Sequence, residues 1–334
     1  MKSENRSYSS AVVRFIASFI IVAALLVFSN TGCNSHKQHA HHRGSTPTVN
    51  GDYSGCDKSP TVLFGKDNKV LVRYSPSNKD TSYTIPDTVT HIARGAFMEC
   101  KRLKNVTIGK GVTSIGEAAF SECSNLASIV IPENVTSIGS GAFYRCSSLT
   151  DLVIPKGVTS IGGETFAKCS NLTEIIIPES VTSIGEGAFF DCSRLAGIVI
   201  PDRVASIGGA AFAKCSNLTE IIIPESVTSI GEQAFMGCSR LARITIGNGV
   251  NSIGEQAFME CNQLAHVTLG SSVNSIGSWA FYGCGSLKAV YFKGNAPKLP
   301  EENAFYDPSV IHYKPGTTGW TNPWDGRPTK EWVE

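Results

Sequence analysis

Eleven cysteines in a chain of 334 residues invite a chemical reading first, because thiols form disulfides, ligate soft metals or act as nucleophiles. Nine of them, Cys100, Cys123, Cys146, Cys169, Cys192, Cys215, Cys238, Cys261 and Cys284, recur at an unbroken spacing of 23. Stacked units would set equivalent cysteines side by side about 5 Å apart with parallel side chains. A disulfide instead needs converging Cβ atoms about 3.8 Å apart. The spacing therefore predicts nine free, buried thiols acting as small core hydrophobes. Cys56 is outside the register and is available to pair between molecules.

Histidine is the second candidate chemistry. His36, His39, His41 and His42 hold four of the seven histidines, and imidazole clusters can bind Zn²⁺, Ni²⁺ or Cu²⁺, but nothing here fixes a coordination geometry or second shell. They read as part of a solvated tether, with a weak metal site as the alternative, and no cofactor is expected. His91, His266 and His312 fall on different repeats. The chain has no phosphate-loop signature, no H-E-x-x-H and no G-x-S-x-G elbow, so a non-catalytic protein is expected. A net charge of +1 with 17% charged residues, against about 25% in an average domain, gives no electrostatic footprint for nucleic acid.

The elements that position these residues follow from the period. Phe97 through Phe281 and Ile92 through Ile276 keep the same spacing of 23, so nine units cover about two thirds of the chain. In the unit that begins at Cys169, Leu172, Ile175 and Ile177 have the L-x-x-I-x-I spacing of a strand, which Pro178 ends because it has no N–H to give a ladder. Val181 and Ile184 form a second extended piece. Gly185 supplies a permissive turn before a single helical or 3₁₀ turn over Glu186 to Phe189, whose acidic start suits the peptide dipoles. About eight inward positions per unit cannot bury themselves alone, so the units must stack around one continuous core. Residues 166–186 and 212–232 are identical in sequence and lie two units apart, the mark of a duplicated two-unit block.

The pattern I-P-x-x-V-T-S-I-G-x-x-A-F-x-x-C-x-x-L resembles the Treponema-type, BspA-like leucine-rich repeat of bacterial surface lipoproteins. The resemblance runs over residues 61–334. Val62 to Pro86 resembles the family's degenerate N-terminal unit, and G-T-T-G-W-T-N-P-W-D-G-R-P-T resembles a recurrent C-terminal cap. It implies an α/β repeat solenoid of 23-residue units, with stacked parallel strands and short helical turns, capped at both ends. It also implies an adhesin that binds host matrix proteins such as fibronectin or fibrinogen, or other bacteria. The terminal Trp320, Trp324 and Trp332 read as the cover of the last open core layer, with a sugar site as the alternative.

At the N-terminus, Lys2, Arg6 and Arg14 precede the apolar run from Phe15 to Phe28. That run is shorter than the roughly 20 residues of a membrane span and has the layout of a signal peptide over residues 1–32. Thr31 and Gly32 before Cys33 resemble a lipobox, which implies cleavage before Cys33 and a diacylglyceryl group on its thiol. Simple secretion and an uncleaved anchor are the alternatives. Asn34 in place of Asp favours the outer membrane. Residues 33–60 read as a tether with a random-coil span of about 30 Å. They lead into a degenerate unit over 61–86, the solenoid over 87–292 and a cap over 293–334.

Period-two reading points one residue of each strand outward between two inward aliphatics. That column runs Thr107, Val130, Val153, Ile176, Val199, Ile222, Thr245, Thr268, Tyr291, and the outward column two residues earlier runs Asn105, Ser128, Asp151, Glu174, Gly197, Glu220, Arg243, His266, Ala289. Five adjacent aliphatics form a patch of the kind that marks an interaction site, although β-branched residues also suit strands for their own sake. The expected function is a lipid-anchored surface protein that presents this face to an extracellular protein. The alternatives are a self-associating envelope protein, or glycan capture by the terminal tryptophans.

Overall fold

Each 23-residue unit contributes three backbone segments that stack on their equivalents in the next unit, and the extended ones pair into ladders along most of the stack. The computed structural model describes residues 61–300, 303–305 and 309–332, all within a unit that begins at Pro60. The predicted signal peptide, Cys33, His36, His39, His41, His42 and Cys56 lie outside the described residues. Among the described residues no helix is long and apolar enough to cross a membrane.

The first segment builds a wide parallel ladder. Glu174–Ile176 pairs with Asp151–Val153, Glu174 facing Asp151 and Ile176 facing Val153. The second builds a narrow ladder of two-residue strands, in which Ser183–Ile184 lies between Ser160–Ile161 and Ser206–Ile207. Both ladders step by 23 residues, so each inward aliphatic lands on its equivalent in the next unit, Ile on Ile throughout the narrow ladder, and the sequence period becomes the register.

The third segment departs from the sequence expectation: the described residues contain no helix. An α-helix returns each N–H to the carbonyl four residues back, whereas here alternate amides are sent to the neighbouring unit. Gly187, Phe189 and Asp191 donate to the carbonyls of Gly209, Ala211 and Ala213 at 2.7–2.8 Å, while Ala188, Phe190 and Cys192 donate to carbonyls three residues back at 2.9–3.3 Å. Left-handed residues allow this alternation. Gly187 (φ 59°) and Asp191 (φ 58°) mark the two slots, and equivalents such as Glu164, Ala210, Gln233 and Lys168 occupy them in other units. Bonding to the next unit satisfies the backbone throughout the stack, which an isolated helical turn would leave half done.

Gly185 also has a different role from the one expected, since it is not left-handed. A Cβ there would lie 2.7 Å from the Gly163 nitrogen and 2.8 Å from the Gly162 carbonyl carbon. The glycine permits close approach of two units rather than a turn.

Inside, the phenylalanines form an unbroken column from Phe97 to Phe305, with successive ring centroids 4.8–5.6 Å apart and planes within 15°. The column continues across the step from Phe281 to Phe305, where the spacing is 24. Beside it the nine register cysteines are free and buried. They do more than fill space: Cys146 Sγ donates to the Phe120 carbonyl at 3.2 Å, Cys169 to Phe143 at 3.2 Å and Cys192 to Phe166 at 3.1 Å, each reaching into the preceding unit. A thiol supplies this weak donor at the volume of a small apolar residue.

Both ends of the stack are closed. Val62–Phe64 folds back antiparallel on Val70–Tyr74, and Tyr74 stacks on Phe97 with centroids 5.2 Å apart. At the other end Trp320 and Trp324 pack on Phe292, at 4.9 and 5.7 Å. Arg327 lies over the Phe305 ring, donates to the Phe305 carbonyl and pairs with Asp325. Trp320 and Trp324 are thus cap residues. Trp332 goes elsewhere.

Candidate binding face on the wide ladder

The wide ladder positions the side chains that sequence reading singled out. Strand alternation buries Leu152, Ile175 and Ile221 and turns Val153, Ile176 and Ile222 out. Val130, Val153, Ile176, Val199 and Ile222 are the large hydrophobic side chains that stand exposed among the described residues, from 53% at Ile176 to 78% at Val199. Asp151, Glu174, Glu220, Arg243 and His266 are exposed in the adjacent column. Ala289 is the exception in that column. Its short side chain is buried between its register partners, His266 on one side and Val310 on the other.

Charge along the face is ordered. Asp151, Glu174 and Glu220 are acidic, and Arg243 follows at the next register position after Glu220. Among the described residues Glu174, Glu220 and Arg243 take part in no ion pair, and Asp151 accepts a bond from its neighbour Thr150 at 2.8 Å. On the turn side, by contrast, Arg94 pairs with Glu117 and Arg145 with Glu122.

The ladder is interrupted under the stripe. Paired strands run over 82–130, again over 151–176 and again from Glu220, so the pairing is broken between Val130 and Asp151 and at Gly197–Val199, which forms no strand. The nearest cross-unit bond, from Thr219 N to the Ala196 carbonyl, is 3.4 Å long. At this second break Gly197 stands where other units carry a side chain, and a strand glycine costs roughly 0.5–1 kcal/mol in backbone entropy. Val199 is therefore the most exposed member of the stripe and sits on its least paired segment.

At its C-terminal end the face is longer than the sequence column foresaw. Tyr291 faces His312, which faces Lys330. The Tyr291 ring lies 4.7 Å from His312, 5.1 Å from Trp332 and 6.4 Å from His266. Burial, and then the charge of Lys330, hold His312 below its ordinary pKa. Trp332 thus belongs to the outward face, apart from Trp320 and Trp324. The alternation Val310, Ile311, His312, Tyr313 carried the signal for this extension. Among the described residues no group of three or more His, Cys, Asp or Glu side chains is placed to hold a metal ion.

A family model for the BspA type leucine-rich repeat region matches residues 74–196 and 182–311 in six copies. A leucine-rich repeat protein from Bacteroides ovatus is 27% identical with a TM-score of 0.52, over 82% of this chain and 91% of that one. A leucine-rich cell surface protein from Faecalibacterium prausnitzii is 26% identical with a TM-score of 0.41, over 72% and 89%. A leucine-rich repeat protein from T. pallidum is 24% identical with a TM-score of 0.35, over 68% and 86%. No curated protein matches the sequence. With the matched segments spanning most of the chain and the period of 23 unbroken from Phe97 to Phe281, the chain belongs to the BspA-type leucine-rich repeat family.

Proposed function

We propose that this chain is a non-catalytic binding protein of the bacterial surface that engages an extracellular protein through the wide ladder. The carrying observation is the run of five adjacent exposed aliphatics from Val130 to Ile222. Thr107, Thr245 and Thr268 hold the same column in flanking units, so the strand does not itself demand an aliphatic there. Apolar side chains left in water across adjacent strands are stabilised by a partner that covers them. Family resemblance directs the reading to a matrix protein such as fibronectin or fibrinogen, or to another bacterium. In this reading Cys33 is acylated and holds the protein at the outer membrane, with residues 33–60 as spacer. Radiolabelled palmitate should then enter the wild type and not Cys33→Ser.

The face is tested by placing Glu at both Ile176 and Ile222. Two charges at an apolar contact should lower affinity at least tenfold, about 1.4 kcal/mol, for whichever of immobilised fibronectin, fibrinogen or whole bacteria retains the wild type. Surface substitutions stay within about 0.5 kcal/mol per site, so the melting curve should hold. Unchanged affinity with an unchanged melt would reduce the stripe to strand filler.

A further inference from the structure

The order of charges on the wide face specifies more than a generic protein partner. We infer that this face is self-complementary and that a second copy of the chain docks on it, face to face, about a two-fold axis that runs parallel to the strands between Val199 and Ile222. The inference rests on the reading that the wide face is a protein-binding surface, and adds which protein.

A two-fold axis parallel to the strands reverses the order of units and sets each outward column against the same column of the other copy, an isologous contact. The registers can then be enumerated. With the axis at Ile176 the aliphatic stripes overlap fully, but Glu174 faces the same glutamate across the axis. Half a unit further, Asp151 faces Glu220, and with the axis at Val199, Glu174 faces Glu220. At Ile222 it is Glu220 that meets its own copy. Like charges held opposite one another across a dehydrated contact are strongly unfavourable.

Between Val199 and Ile222 the conflicts vanish together. Glu174 faces Arg243, Asp151 faces His266, and Glu220 faces Gly197, which has no side chain. Val199 and Ile222, the two most exposed members of the stripe at 78% and 70%, face each other at the axis. Moving the axis a full unit, to between Ile222 and Thr245, keeps one opposite-charge pair, Glu220 with Arg243, but leaves no aliphatic facing another. In the central register Ile176 faces Thr245 and Val153 faces Thr268, so apolar contact is confined to the axis; of the registers compared it is the one that joins opposite charges and apolar contact with no like-charge pair. The absence of ion pairs for Glu174 and Arg243 among the described residues leaves both groups available for it.

Charge reversal tests this register. The full-length protein in mild detergent should sediment as a concentration-dependent dimer. Glu174→Arg alone, or Arg243→Glu alone, should weaken self-association at least tenfold with the melting curve retained. An equimolar mixture of the two variants should associate again. The arginine introduced at position 174 of one copy then meets the glutamate introduced at position 243 of the other, while the unchanged Arg243 of the first meets the unchanged Glu174 of the second. A chain carrying both changes should also recover the homodimer. A wild type that is monomeric at every concentration, or a mixture of single variants that stays monomeric, would overturn the self-pairing. If that monomeric protein still loses fibronectin or fibrinogen binding on the paired Ile176 and Ile222 substitutions, the proposed function stands and the second copy is not its partner.

Discussion

The turn side and the wide face of the solenoid are built from the same repeat and follow opposite rules. On the turn side, stacked Phe189 and its equivalents, the cysteines beside them and the glycines of the S-I-G step are repeated unit after unit, and each is fully buried or in close backbone approach. On the wide face, one column passes through Asn, Ser, Asp, Glu, Gly, Glu, Arg and His before it is covered. The difference teaches where the repeat is enforced. Any inward or turn position must fit two neighbours at once, so a deviation is felt twice. An outward side chain on the wide face meets solvent and is free to carry a message. The gap at Gly197–Val199 belongs with the second rule: a wide-face segment gave up its ladder bonds while the narrow ladder beneath continues through Ser206–Ile207.

The largest break of this contrast should come from alkali. Burial pushes Cys169 up to about 12 and raises Cys146, Cys192, Cys215, Cys238 and Cys261 well above the ordinary 9.0. Cys123 is raised as well, first by its interaction with Cys100 and then by burial. A thiol with a raised folded pKa holds its proton in the fold after the unfolded chain has lost it, so its stabilisation is present below about pH 9 and declines above it. A thiol that keeps its proton in the fold while the unfolded chain ionises lowers stability by up to about 1.4 kcal/mol per pH unit, and the thiols act in the same direction. Urea unfolding at pH 8, 9 and 10 should show a steep fall, made shallower by replacing Cys169 and Cys192 with Ala. A flat profile would remove the thiol column from the turn side's stability. Wide-face variants should leave the slope unchanged.

A smaller but cleaner break is Phe189→Ala, which opens a cavity between the rings of Phe166 and Phe212, now 5.5 and 5.2 Å away. Loss of a buried phenylalanine costs about 3–5 kcal/mol, several times the effect expected at Ile176 one face away. Denaturant midpoints of the two variants make the comparison. Equal losses would show that the outward column bears load in the free protein.

How much of this was legible in the sequence follows the same division. The core was, because Phe, Cys and Ile at a strict period have one stacked solution, and burial follows from it. The outward column was legible as far as Tyr291. It was lost beyond, where Phe305 falls 24 residues after Phe281 and a count by 23 no longer points to His312 and Lys330. The turn was misread as helical because G-E-G-A-F-F suits either conformation when seen in one unit. The better signal was a comparison between units: glycine enters the repeat at two slots four residues apart, as Gly95, Gly141 and Gly187 in one and Gly237 and Gly283 in the other, and these are the left-handed slots. The strand break at Gly197 was written in the sequence as a lone glycine in a column of side chains, but the strength of neighbouring ladders decides whether such a residue breaks a strand. Cys33 and the lipobox stand on their residues alone.

The finest test separates two glycines two residues apart on the turn side. Gly185→Ala places a methyl 2.7 Å from the nitrogen of Gly163, a backbone atom of the preceding unit. Nothing there can give except the spacing between units, and overpacking of this kind costs about 1–3 kcal/mol. Gly187→Ala meets only the Glu164 side chain at 3.4 Å and Phe190 Cβ at 3.8 Å, and its cost is the left-handed conformation, about 1 kcal/mol. Ala118 and Ala210 already carry that cost at the same slot, while every unit from 116 to 277 keeps glycine at the position of Gly185. Thermal melts should therefore order the variants with Gly185→Ala the less stable. The reverse order would mean that left-handed strain, rather than the approach of one unit to the next, is what the S-I-G glycine relieves, and that the turn side is constrained within each unit rather than between them.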